Sequence, residues 1–421
     1  MSAAGAASPD PAPVFLHIGP MKTGTTFLQE LMVANKDRLA AAGYLFPGDT
    51  WARQVRGTRD VLELDQWDPR FKATTAGAWE RLVAEILAHT GTASVVSMEF
   101  LSFARRRGAA RVVRSLQPAE VHVVLTVRDA LDTIPSLWQT AVYNGSAASW
   151  PQFMHSVRKA AGIRGRLGRL PRDRSLREFL DAQDVARMLR TWAGLVPAGR
   201  LHVVTVPPRG SEPGLLWSRF ARAVGVDPGV CSEPATRSNA SLGYASTDLL
   251  RRVNRAVGRL PPSDYNATLK EYLALKVLAG RRHLEGRPGP DLRTREFAAG
   301  WNERVRAAIT RSGAGLTGDL DDLPVRTGPV PAQHTAPPGV DELLAVAATS
   351  AGALADLAQR RSVRLGRSGA RVDVPVPDPS DFTVDRWDDA PDAVAAAVSD
   401  VADLARTGVR LYRRLQDEVP R

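Results

Sequence analysis

The chain has 421 residues, 44% of them hydrophobic, and 56 Lys and Arg against 45 Asp and Glu give a formal net charge of +11. This is a globular composition, long enough for one large α/β domain with an appendage or for two or three average domains. No apolar run approaches the length of a membrane span. The single cysteine, Cys231, excludes an intramolecular disulfide framework and any cysteine-cluster metal site. The basic excess favours anionic partners, but no helix-turn-helix, zinc-finger or RNA-binding signature accompanies it, so nucleic acid is not expected as a partner.

Residues 1–11 read as a disordered leader, without the basic and apolar regions of a signal peptide, and a cytoplasmic location is the expectation. Val14 to Ile18 is a short apolar run, as for a strand buried on both faces. Gly19-Pro20 breaks it. Lys22, Gly24, Thr25 and Thr26 follow, and a helical stripe of Phe27, Leu28, Leu31 and Met32 opens, expected to run to about Ala42 with Gly43 as its cap. A strand, a glycine turn and a helix N-terminus together make an anion site, because the free first-turn N–H groups and the helix dipole both face the turn.

Ala78 to His89 reads as a helix. Ala93 to Met98 is a second strand, ending at Glu99, and a short helix is expected over Arg111 to Leu116. Glu120 to Val127 is a third strand, ending at Arg128-Asp129, and a helix with Ile134, Leu137 and Trp138 follows. Leu201 to Val206 is a fourth. Strands alternating with helices predict an α/β fold with a parallel sheet flanked by helices. In such sheets ligands gather at the carboxyl ends of the strands, where Lys22, Glu99 and Arg128 all fall.

Arg158 to Arg177, with eight basic residues and one acid, reads as a basic loop that is either a solvated charge run or a cover for an anionic acceptor. Leu215–Val224, Ser246–Val257 and Ala298–Ile309 read as helices, and the segment to about residue 325 closes the domain. Residues 326–342 form a proline-rich linker, and 343–421 a helical C-terminal extension with helices over Leu343–Leu357 and Ala390–Gln416. The last is amphipathic with a basic end. It is expected to dock on the core, and its composition also allows pairing with another copy or peripheral membrane contact.

The turn nearly matches the nucleotide-triphosphate loop G-x-x-x-x-G-K-[ST], but Thr25 stands where that loop has lysine, and Lys22 precedes the second glycine. The run PMKTGTT instead resembles the 5′-phosphosulfate loop of the sulfotransferase family. A second motif agrees: in VRDALDTIPS, Arg128 ends a strand and Ser136 follows eight residues later on a helix. The family places an arginine and a serine with this separation on the 3′-phosphate of 3′-phosphoadenosine-5′-phosphosulfate (PAPS).

The resemblance covers about residues 12–325 and looks closest to actinobacterial-type sulfotransferases. It implies a P-loop-NTPase-like sulfotransferase fold with PAPS as cofactor and no metal required. The activity it implies is transfer of a sulfuryl group to a hydroxyl of a small-molecule, glycan or lipid acceptor. Lys22 then neutralises the leaving oxygen, and Thr23, Gly24, Thr25 and Thr26 hold the 5′-phosphate with backbone N–H groups and the hydroxyls of Thr25 and Thr26. Glu99 stands where the cytosolic enzymes carry their base, with Asp49, Asp60 and Glu63 as rivals.

The family's C-terminal glycine-rich 3′-phosphate loop has no clear match, and Arg237, Asn239 and Ser241 are its substitute here. Pro135 fits only if its helix starts near Asp132, leaving the proline in the first turn. His17, His122 and His202, inside apolar strands, read as core or strand-end residues. Two other readings stay open: a P-loop nucleotide kinase or phosphotransferase, and a non-catalytic adenine-nucleotide-binding module.

Overall fold

β1 (Val14–His17) is the hub of a six-stranded sheet, seen in a computed structural model that describes residues 11–64, 69–162, 172–234, 241–327, 336–369 and 374–418. The other strands are β2 (Tyr44–Leu45), β3 (Ala93–Ser97), β4 (Val121–Val127), β5 (Leu201–Thr205) and β6 (Gly315–Thr317). Their order is β2-β3-β1-β4-β5-β6, and every neighbouring pair is parallel. β1 lies between β3 and β4, with Val14 opposite both Ser94 and Val121. The chain leaves β1 to one side and returns to build β4 on the other, which opens a crevice at the carboxyl end of β1.

Alternation along β1 sorts the core. Val14 and Leu16 enter the larger apolar cluster with Val96, Val123 and Leu125. Phe15 enters a second cluster on the other face, with Leu28, Leu31 and Met32 of α1 (Thr25–Ala34) and Trp217 and Phe220 of the helix Leu215–Val224. A strand buried on both faces loses the polar alternation of a surface strand, which is why this one reads as a continuous apolar run.

The helix expected from Thr25 to Ala42 is two helices. Asn35 breaks it: its amide donates to the Leu31 carbonyl at 2.9 Å and the Glu233 carbonyl at 2.8 Å, and accepts from Glu233 N at 2.9 Å. An asparagine that ties a distant segment through its amide competes with the helix ladder. The helix expected at Arg111 starts earlier and spans Arg106–Ser115. Arg158–Arg177 is not one loop: Trp150–Arg158 and Arg174–Gln183 are helices, the second capped by Asp173 on Leu176 N at 3.2 Å, and 163–171 lies outside the described residues.

α2 (Ala130–Tyr143) follows β4, and α3 (Tyr244–Val257) packs against it. The π-helix Asn266–Val277 also packs on α2. At the C-terminus, α4 (Val340–Arg367) and α5 (Ala393–Glu418) pair with each other and dock on α3 and the π-helix. Leu343, Val346, Val401 and Ala405 belong to the same apolar cluster as Val14. Buried Arg361 pins the joint, donating to Thr268 Oγ1 at 2.9 Å, the Gly408 carbonyl at 2.7 Å and the Ala267 carbonyl at 3.1 Å. The extension is therefore built into the main core. Among the described residues no helix is long and apolar enough to cross a membrane.

Candidate functional site

A cavity of about 590 Å³ opens at the carboxyl ends of β1, β3 and β4, within the usual size of a small-molecule site. Lys22, Gly24, Thr25, Thr26, Glu99, Arg128, Ser136 and Ser241 all line it. The turn after β1 is held from below. Thr23 is fully buried, and its hydroxyl donates to the Pro20 carbonyl at 2.5 Å and lies 2.6 Å from Thr126 Oγ1. Gln183 donates to the Met21 carbonyl at 2.7 Å. Thr23 thus turns its side chain into the protein and leaves only its backbone to a ligand.

Fixed on both sides, Lys22 takes φ 66°, the left-handed region that a lysine avoids, a strain that persists only where surrounding bonds over-determine it. Gly24, at φ 84°, is the N-cap of α1 and brings no side-chain acceptor, so the first-turn N–H groups have no partner within the helix. A Cβ at Gly24 would stand 2.5 Å from Leu216 Cδ2, so no other residue fits without displacing that leucine.

Beneath the turn lies His17, fully buried and hydrogen-bonded to Ser97 Oγ at 2.8 Å and Thr126 Oγ1 at 3.2 Å. Burial pushes its pKa down to about 3 from an ordinary 6.5, so the ring is neutral and structural. The unfolded chain takes up this proton first as pH falls below 6.5. Stability is therefore whole above that value and drains away toward pH 3. Wild type is expected to lose about 2 kcal/mol more than His17→Asn between pH 7.5 and pH 5, read by urea denaturation. Equal losses would mean that the ring is not held neutral.

Glu99 sits at the end of β3, where Gln29 of α1 donates to its Oε2 at 2.9 Å and to the Ser97 carbonyl at 3.0 Å. Its rivals are elsewhere. Asp49 pairs with Arg53 at 2.9 Å, Asp60 accepts from Trp79 N at 3.1 Å, and Glu63 pairs with Arg111 at 2.7 Å, a bond that draws its pKa down. None of the three lines this cavity. His122 and His202 stack on each other with nitrogens 3.0 Å apart, near the starts of β4 and β5 and away from the site.

Arg128 ends β4 and is half-buried. It donates to Asp132 Oδ2 at 3.0 Å, while Arg209 donates to Oδ1 at 2.6 Å. The Arg128 Nε is buried with no partner. α2 starts at Ala130, capped by Asp129 on Leu131 N at 3.0 Å, so Pro135 is its sixth residue and not in the first turn as expected. Asn302 explains the early start: it accepts from Ala130 N at 3.0 Å and donates to Asp129 Oδ1 at 2.7 Å. Pro135 and Ser136 both face the cavity. Arg237 and Asn239 lie outside the described residues.

Two sets of site residues were not legible in sequence. One is the loop Arg287-Pro288-Gly289-Pro290, which reaches the cavity with Arg282 and Arg295. Glu285 anchors it by accepting from Ser246 N at 2.7 Å and Ser246 Oγ at 2.5 Å. Its glycine between prolines was the available signal. The other is Tyr143, the last residue of α2, whose hydroxyl accepts from Lys22 Nζ at 3.4 Å. Among the described residues, Lys22, Arg128, Arg209, Arg282, Arg287 and Arg295 thus face one cavity lined by two carboxylates, Glu99 and Asp132.

Comparison with protein-family models, curated proteins and solved structures gives no match.

Proposed function

We propose that the chain is a sulfotransferase of P-loop-like fold that moves a sulfuryl group from PAPS to a hydroxyl of a small-molecule, glycan or lipid acceptor. The observation that carries this reading is the pairing of two separate anion-binding groups in one cavity. The β1 turn, with Lys22 and the first turn of α1, supplies one; the end of β4, with Arg128, Arg209 and the Arg287 loop, supplies the other. A triphosphate presents a single anionic chain to such a turn. A nucleotide phosphorylated at both its 3′ and 5′ positions presents two anions on opposite sides of a ribose. The partnerless Arg128 Nε and the uncapped helix fit this bis-anion.

When bound, PAPS supplies an activated sulfuryl group. Lys22, with the N–H groups of Gly24 to Thr26 and the hydroxyls of Thr25 and Thr26, holds the 5′ end and offsets the charge that grows on the leaving oxygen. Arg128 and Ser136 hold the 3′-phosphate, with Arg287 and Ser241 within the same lining. Glu99, oriented by Gln29, is the carboxylate in the cavity that can receive the acceptor's proton. Radiolabelled PAPS incubated with the protein and an extract of the source organism should label an acceptor. Wild type should also bind 3′,5′-adenosine bisphosphate in preference to ATP. Tight ATP binding with magnesium-dependent hydrolysis would overturn this reading in favour of a kinase.

A further inference from the structure

Tyr143 is not called on by any step above, yet its surroundings are unusual for a phenol. Its oxygen lies 3.4 Å from Lys22 Nζ and 3.2 Å from Thr140 Oγ1, and it lines the same cavity as Glu99. Two ammonium groups flank its ring, Lys22 from the β1 turn and Lys270 from the π-helix, each 5.8 Å from the ring centroid. The Thr140 hydroxyl has a single proton and two acceptors in reach, the Ser136 carbonyl at 2.8 Å and Tyr143. It can turn to Tyr143 whenever that oxygen becomes negative.

We propose that Tyr143 is a further catalytic residue, which in its ionised form, between Lys22 and Lys270, takes the proton of the acceptor hydroxyl in place of Glu99. This rests on the sulfotransferase reading. In the step, the acceptor oxygen bonds to sulfur while the bond from sulfur to the 5′-phosphate oxygen breaks. That electron pair stays on the phosphate, and the acceptor's proton passes to Tyr143, which later returns it to water. The arrangement couples the two halves of the reaction. Once Tyr143 is neutral, Lys22 loses its anionic partner at the moment the leaving oxygen beside it gains charge. A carboxylate that does not touch Lys22 cannot release it in this way.

The electrostatics agree in sign. Burial opposes ionisation of Tyr143, but Lys22, Thr140 and Lys270 together draw its pKa below the ordinary 10. Lys270 is itself lowered, by burial first and then by Arg59 and Lys22, against the pull of Tyr143 and Glu271. Of the six tyrosines, Tyr44, Tyr244, Tyr265 and Tyr272 are all pushed up by burial, so an early phenol stands apart from them.

The test is an ultraviolet phenolate titration of the full chain, paired with transfer kinetics. Wild type should show one phenol ionising below the ordinary tyrosine range; Tyr143→Phe should lack it, and Lys22→Met should shift it upward. Tyr143→Phe should lower kcat about 100-fold and lose the rise of rate with pH. Its affinity for 3′,5′-adenosine bisphosphate, by calorimetry, should stay within about threefold of wild type. If wild type does not bind that nucleotide, the sulfotransferase reading falls and takes this role with it. If it binds, but the two titration curves superimpose or the pH–rate profile is unchanged in Tyr143→Phe, the assignment of Tyr143 alone is overturned.

Discussion

Replacing Lys22 with glycine is expected to abolish measurable transfer, with a loss on the order of 10³-fold in kcat, while raising the stability of the folded chain by about 1 kcal/mol. The two signs have separate causes. On the proposed sulfotransferase reading the ammonium is the side chain of the β1 turn that meets the oxygen gaining charge, and removing one preorganised donor of this kind costs about 10²- to 10³-fold in rate. The same residue sits at φ 66°, where its Cβ crowds the backbone and glycine does not. Lys22→Ala keeps the Cβ, so it should match Lys22→Gly in lost activity without matching its gain in stability. Thermal or urea denaturation of the three proteins, beside transfer kinetics at saturating nucleotide, reads both effects. Equal stabilities for the glycine and alanine variants would show that the turn is unstrained. Full activity in either variant would remove Lys22 from the chemistry.

That strain bears on what the sequence could disclose. The pattern of residues at the β1 turn was legible because its parts are local: an apolar strand, two glycines, a lysine and two hydroxyls within a dozen positions. The left-handed lysine was not, because what imposes it is remote. Gln183 grips the Met21 carbonyl, and Thr126 stands under Thr23 from the neighbouring strand. The four longer strands follow from their apolar runs. β2 and β6 are two and three residues long and carry no periodicity to detect. Glu99 and Arg128 could be placed at strand ends from pattern alone, but only the structure separates Glu99 from Asp49, Asp60 and Glu63, since the exclusion depends on which carboxylates face the cavity. Pro135 misled because helix starts are set by caps, and the cap on Asp129 is completed by Asn302, far along the chain. Arg287 and Tyr143 escaped for the same reason: each is an ordinary residue locally, and acquires its role from neighbours that the fold brings to it.

Arg128 and Asp132 should have opposite effects on nucleotide affinity. Arg128→Ala is expected to weaken binding of 3′,5′-adenosine bisphosphate about 100-fold, the loss of a charge-assisted hydrogen-bonding pair, while leaving kcat at saturation within a few-fold of wild type. A group that holds the far end of the nucleotide contributes to ground state and transition state alike, so its loss falls on affinity. Asp132 occupies the position of an internal competitor. Its carboxylate accepts from Arg128 at 3.0 Å and from Arg209 at 2.6 Å, donors that an incoming phosphate would need on the proposed reading. Asp132→Asn keeps the shape and removes the charge, so binding should tighten about fivefold, with a steeper weakening by salt as two arginines lose their resident counterion. Calorimetry across a salt series on wild type, the two single variants and the double variant separates the terms. Unchanged affinity in Arg128→Ala would remove the 3′-phosphate from this end of the cavity. Weaker binding in Asp132→Asn would recast Asp132 as the group that aims Arg128, because a guanidinium freed of the Asp132 carboxylate would then have lost the geometry that the phosphate requires.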